Sequence, residues 1–144
     1  MSGMSDVFQG IKDTLINSTN GVDPGKPINV QIGIPDAVND YPAALVRPNE
    51  PIDLMVAING NTFQGTMRIT ILIRSADDAE GWKQLWDYID PVAATKSVVR
   101  ALRADRTLNS FVDDSQVRLI EGISKRAEGV FGFDVLLDYI KTVA

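Results

Sequence analysis

The sequence predicts an α+β fold, a mixed and mostly antiparallel sheet with helices packed on one face. Three observations carry that expectation. Apolar residues recur with a helical period in three segments. In the segments between and after them the period is two. The strand-like segments come in runs and do not alternate singly with helices, which favours a segregated layout over βαβ winding. The expected order is helix, four strands, two helices, two strands. No repeat or linker divides the 144 residues, so a single domain is expected, with an N-terminal helix at 6–19 and an α+β body at 27–141.

The elements follow in order. Val7, Ile11 and Leu15, with Phe8 and Ile16 beside them, predict the first helix. Asp6 and Gln9 match a capping box. Asn20-Gly21 and Pro24-Gly25 stop the helix near Thr19. Ile28, Val30, Ile32 and Ile34 alternate with Asn29, Gln31 and Gly33 as a half-buried strand. Ala43 to Arg47, bounded by prolines, reads as a short edge strand. Ile52, Leu54, Val56 and Ile58 form the next. Asn59-Gly60 is a strong hairpin signal because both residues tolerate positive φ, with Gly65 allowing a longer turn. Met67, Ile69, Ile71 and Ile73 then share one strand face, with Thr66, Arg68, Thr70 and Arg74 on the other.

Asp77 with Glu80 is a second capping box. Trp82, Leu85, Trp86 and Ile89 follow on one helical face, which places both tryptophans in the core or an interface. In the core, truncating Trp86 to alanine costs ~3–5 kcal/mol. Asp90-Pro91 closes this helix, and Thr95 to Ala104 is the third. In the penultimate strand Val117, Leu119 and Ile123 share parity. In the last, Phe131, Phe133, Val135, Leu137 and Tyr139 form an apolar face opposite Asp134 and Asp138.

Composition narrows the chemistry. There is no Cys and no His, which removes disulfides, thiolate sites, the usual Ser-His and Cys-His pairs and common zinc sites. Nineteen acidic residues against 14 basic give a net charge of −5, unfavourable for gripping phosphate backbones. No apolar run reaches the ~20 residues that span a membrane, and no basic-then-apolar start marks a secretion signal. Gly60 and Gly65 have phosphate-loop spacing, but Thr66-Met67 follows where Lys-Ser or Lys-Thr is needed. Asp77-Asp78 and Asp113-Asp114 read as cap and loop charges rather than cation ligands. No catalytic, cofactor-binding or metal-binding residue is expected.

One charge pattern points outward. Asp77, Asp78, Glu80, Asp87 and Asp90 stand against Lys83 alone in the second helix region, and Glu80 and Asp87 share a face. Lys96, Arg100 and Arg103 lie at i, i+4 and i+7 in the third, a basic stripe with few intrahelical partners. The stripe is either a solvated face or the complement of the acidic helix on a neighbouring subunit. Head-to-tail pairing of that kind builds rings. On the second reading, reversing Arg100 and Arg103 weakens assembly and leaves the monomer folded. The hairpin residues Asn59, Gly60, Asn61 and Phe63 are further interface candidates.

Four stretches resemble a known family: Asp40-Tyr41-Pro42-Ala43-Ala44-Leu45-Val46-Arg47-Pro48, the strand from Met67 into Asp77-Asp78, the helix that this opens and its successor, ending Val98 to Leu108, and the strand from Gly132 to Ile140. Together they are similar to the tail terminator proteins of long-tailed bacteriophages, especially those of actinobacterial hosts, over residues 25 to 140. The resemblance implies a mixed sheet packed on helices. It also implies a non-enzymatic virion protein located at the tail end at the neck and assembled in the host cytoplasm. Such proteins form homohexameric rings that cap the tail tube protein, end polymerisation and offer a surface to the head-side connector or stopper protein. DNA passes through the ring without sequence-specific binding, and an acidic lumen repels its phosphates. The neighbouring possibilities are another neck, head-completion or tail tube protein. A small-molecule-binding module or an enzyme stands further off, for want of a convergent polar constellation.

Overall fold

The structure is a computed structural model. It describes residues 4–17, 19–23, 28–33, 35, 37–50, 58–59, 62–91 and 95–142. The elements are α1 (Met4–Leu15), β1 (Asn29–Ile32), β2 (Ala43–Pro48), β3 (Ile58–Asn59), β4 (Thr62–Arg74), α2 (Asp78–Ile89), α3 (Val98–Ala104), β5 (Asp114–Ala127) and β6 (Val130–Thr142). This is the expected order and an α+β fold. The strands form one sheet in the order β1-β2-β4-β6-β5, with β3 also on β4. Only the β1–β2 pair is parallel among the described strands.

The core lies between one sheet face and the helices. Met67, Ile69, Ile71 and Ile73 on β4 and Phe131, Phe133, Val135, Leu137 and Tyr139 on β6 are all buried there, as their alternation requires. Val7, Ile11 and Leu15 of α1, Leu85 and Tyr88 of α2, and Val98, Ala101 and Leu102 of α3 close over them. Ala44 and Val46 extend this face onto β2. The opposite face carries an ion-pair network. Asp134 accepts from Arg68 at 2.5 Å and from Thr70 Oγ1 at 2.8 Å, and Arg126 approaches at 3.5 Å. Arg68 also meets Glu121 at 2.6 Å. Burial pulls the Arg68 guanidinium down, and its bonds to Glu121 and Asp134 overcome that and leave it raised.

Several boundaries differ from expectation, each for a local reason. The first helix ends at Leu15, not near Thr19, because the Asn17 side chain accepts the Thr19 and Asn20 amides in an Asx turn. It begins at Met4, so Asp6 lies in its first turn, and Gln9 donates to Asp13 instead of closing a capping box. β2 is not an edge strand, since β1 pairs on its far side. The third helix starts at Val98, three residues late, because Ser97 caps it by accepting the Arg100 amide at 3.0 Å. Asn59 pairs with Thr62, and Gly65 pairs with Tyr139, so Gly65 belongs to the strand and not to the turn. The strand expected over Ile52 to Ile58 falls outside the described residues except for its last residue, and Ile34 lies outside them too.

The penultimate strand departs most. Register shifts lie between Val117 and Leu119, Glu121 and Ser124, and Lys125 and Ala127. Each extra residue flips the parity of the residues beyond it. Val117 and Ile120 therefore pack on the core, and Leu119 and Ile123 are left 38% exposed. Gly122, at φ +65°, sits in the second shift, in a backbone region where glycine is favoured.

Candidate interaction surface

Helix α2 is held firmly at its start. Asp77 Oδ1 accepts the amides of Ala79 at 2.9 Å and Glu80 at 3.3 Å. The other half of the expected capping box is replaced: the Asp77 amide donates to Ser75 Oγ, not to Glu80. Asp78 is paired with Lys125 of β5 at 3.1 Å, a bond that raises the ammonium above its usual range. Asp113 accepts from Thr142, and Asp114 pairs with Arg106 at 2.8 Å. Both aspartate doublets are thus engaged structurally, and no cluster of three metal-ligating side chains occurs among the described residues.

The buried face of α2 is not the one read from the tryptophans. Gly81, Leu85 and Tyr88 face the core, with Ile89 packed against it. The reason is Gly81. A Cβ there would lie 2.3 Å from the Phe131 ring, so the bare backbone lets the helix sit directly on β6. The helix is rotated by about one residue, roughly 100°. Trp82 lands at the margin, 36% exposed, with its ring edge-on to Phe131 at 5.3 Å. Trp86 is 56% exposed and carries no core role, so the large cost expected for its truncation does not apply. Glu80 and Asp87 are exposed elsewhere on the same helix. The result is a helix of net acidic charge that also presents an uncovered indole, with Lys83 one turn before it.

The basic stripe is not a stripe. Lys96 precedes the helix, at a broad cleft of roughly 740 Å³ that it shares with Asp23, Tyr41, Arg74 and Tyr88. Arg74 stacks over the Tyr41 ring there at 5.8 Å. Burial, with help from Asp23 and Asp87, pushes the Tyr88 hydroxyl up to about 12. Arg100 is an internal tie. Its guanidinium donates to the carbonyls of Asn20, Gly21 and Thr95 at 3.3, 2.9 and 3.1 Å, fastening the chain after α1 to α3. Reversing its charge therefore strikes the fold, contrary to expectation. Arg103 alone of the three is an exposed helical cation without an ion pair to any described residue.

Arg103 borders a second cleft, of roughly 460 Å³, between α3 and β5. Val99, Leu102 and Val117 give it an apolar floor, and Arg103 and Arg106 a cationic rim. Sequence reasoning missed this site because its floor and rim come from two elements whose packing no local pattern reveals. Of the hairpin candidates, Phe63 is half-buried with its ring centroid 5.7 Å from that of Tyr139. Asn59 ends β3, and Gly60 and Asn61 lie outside the described residues. No helix is long and apolar enough to cross a membrane among the described residues. The chain matches no protein-family profile and no curated protein sequence.

Proposed function

We propose that this chain is a structural assembly protein of the tail terminator type. It forms a homohexameric ring that caps the tail tube of a long-tailed bacteriophage, ends its growth and meets the head-side connector. The single observation behind the reading is the uncovered Trp86 on an acidic helix, whose folded-state role is missing and which an assembled neighbour would supply. The four stretches that resemble the family fall on β2, on β4 running into α2, on α2 and α3 with its tail, and on β6. That agreement in layout supports the reading. A net charge of −5 is compatible with a ring through which duplex DNA slides.

The test is direct. Purified chain is imaged by negative-stain electron microscopy and its mass followed by light scattering, and it is then added to polymerising tail tube protein. Closed six-fold rings with a central hole, and tubes whose growth stops on addition, are expected. A chain that stays monomeric at every concentration, or tubes that lengthen unaffected, would overturn the proposal.

A further inference from the structure

We infer that Trp86 of one subunit seats in the cleft between α3 and β5 of the next copy of this chain. The inference rests on the ring reading above and gives it a specific contact. Two independent features meet in it. Trp86 is an indole more than half uncovered on the outside of α2. The α3–β5 cleft has an apolar floor of Val99, Leu102 and Val117, and Trp86 is not among the residues that line it in its own chain.

Charge selects the occupant. The exposed side of α2 carries Glu80 and Asp87 against one cation, Lys83, which lies one turn before Trp86, and the cleft is rimmed by Arg103 and Arg106. The Arg106 charge is already shared with Asp114 at 2.8 Å, which leaves Arg103 as the cation available to an incoming acidic helix. A second copy brings both the aromatic body and the complementary charge. Buried tryptophans and arginines are the residues that dominate such contacts, and opposed charges at the rim fix the register of docking more than its strength. Knob and cleft lie at different places on the subunit, so the contact is heterologous. It propagates head to tail and closes into a ring when the rotation allows.

Sedimentation velocity over a concentration series decides it, with wild type, Trp86→Ala and Arg103→Glu. Both substituted residues are exposed, and circular dichroism melts check that each variant remains folded. Each variant is expected to associate at least about tenfold more weakly than wild type. The decisive arm mixes them. The Arg103→Glu chain retains an intact tryptophan and the Trp86→Ala chain an intact cleft, so the mixture should form a one-to-one pair that does not grow. In a Trp82→Phe background Trp86 is the sole indole, and its emission should shift to shorter wavelength on assembly. If wild type assembles and Trp86→Ala assembles equally well, the contact is wrong and the ring reading stands. If the two variants fail to pair when mixed, the contact is likewise wrong. A wild type that remains monomeric to its solubility limit overturns both. Should Trp86→Ala melt early, Arg103→Glu on the opposite side of the contact still decides the matter.

Discussion

Strand β6 has two neighbours, and they differ in kind. Against β4 it pairs over thirteen consecutive residues without a slip. Against β5 it pairs through three register shifts. The first ladder keeps a strict period of two, so every second residue is committed to the core. The second changes parity repeatedly and leaves Leu119 and Ile123 facing outward on the last strand of the sheet. Bulges twist a sheet edge and discourage indiscriminate strand addition. A flat edge of this length would invite it. The regular ladder is scaffold, and the irregular edge with the neighbouring helices is the surface on which a partner can act.

The sharpest way to break the comparison is to damage the regular side. Phe133 is fully buried in the β4–β6 ladder, and Phe133→Ala should cost ~3–5 kcal/mol by urea denaturation. Next comes the polar face of the same strands. Asp134→Ala takes from Arg68, whose side chain is only one-fifth exposed, one of its two carboxylates and from Thr70 its acceptor, and should cost ~2–3 kcal/mol, at or below the low end for a broken buried pair because Glu121 remains. If Asp134→Ala proves as mild as a surface change, the network does not anchor the open face.

Alkaline pH probes the same interior. Burial pushes the Tyr139 hydroxyl up to about 12, and Tyr88 likewise with added repulsion from Asp23 and Asp87. The unfolded chain releases these protons near pH 10, before the folded chain does. Their contribution is thus fully present below about pH 10 and is lost as pH rises toward 12. By pH 11.5 the loss should be ~2 kcal/mol for each tyrosine. Tyr88→Phe combined with Tyr139→Phe should flatten that slope in denaturation measured from pH 9 to 11.5.

Gly81 gives a smaller but more diagnostic effect. Alanine gains about 1 kcal/mol of helix propensity over glycine. Here its Cβ would lie 2.3 Å from Phe131, and overpacking of that kind costs ~1–3 kcal/mol. A net destabilisation of up to ~2 kcal/mol is expected for Gly81→Ala, relieved in part when Phe131→Leu accompanies it. Smallest of all, Trp86→Ala should change monomer stability by no more than about 1 kcal/mol, because the residue lies mostly in water. A larger loss would mean that α2 packs by its tryptophan face after all.

These contrasts also mark what the sequence made legible. Strict alternation in Met67 to Ile73 and Phe131 to Tyr139 was readable, because the β4–β6 ladder that joins them is unbroken and keeps parity fixed. Order of elements was readable for the same reason: period separates helix from strand. Parity in β5 was not, since Gly122 is the single residue whose type hints at a bulge and the other two shifts leave no local mark. The rotation of α2 was hidden behind its tryptophans. Hydrophobicity named Trp82 and Trp86 as core or interface, and close approach at Gly81 keeps them off the buried face. Arg100 looked like surface charge because its partners are backbone carbonyls up to 80 residues distant, which no charge pattern displays. The three consecutive left-handed residues Leu108, Asn109 and Ser110, fixed in part by Asp105 accepting the Asn109 amide, had no glycine to announce them.

Hydrogen exchange tests the division between scaffold and surface most directly. Amide exchange is followed by mass spectrometry on the wild-type chain at high concentration and on the same chain diluted to monomer. Amides of β4 and β6 should exchange slowly and equally in both. Added protection on assembly should be confined to α2, α3 and β5. Protection gained within the β4–β6 ladder, or no change anywhere between the two states, would contradict the account.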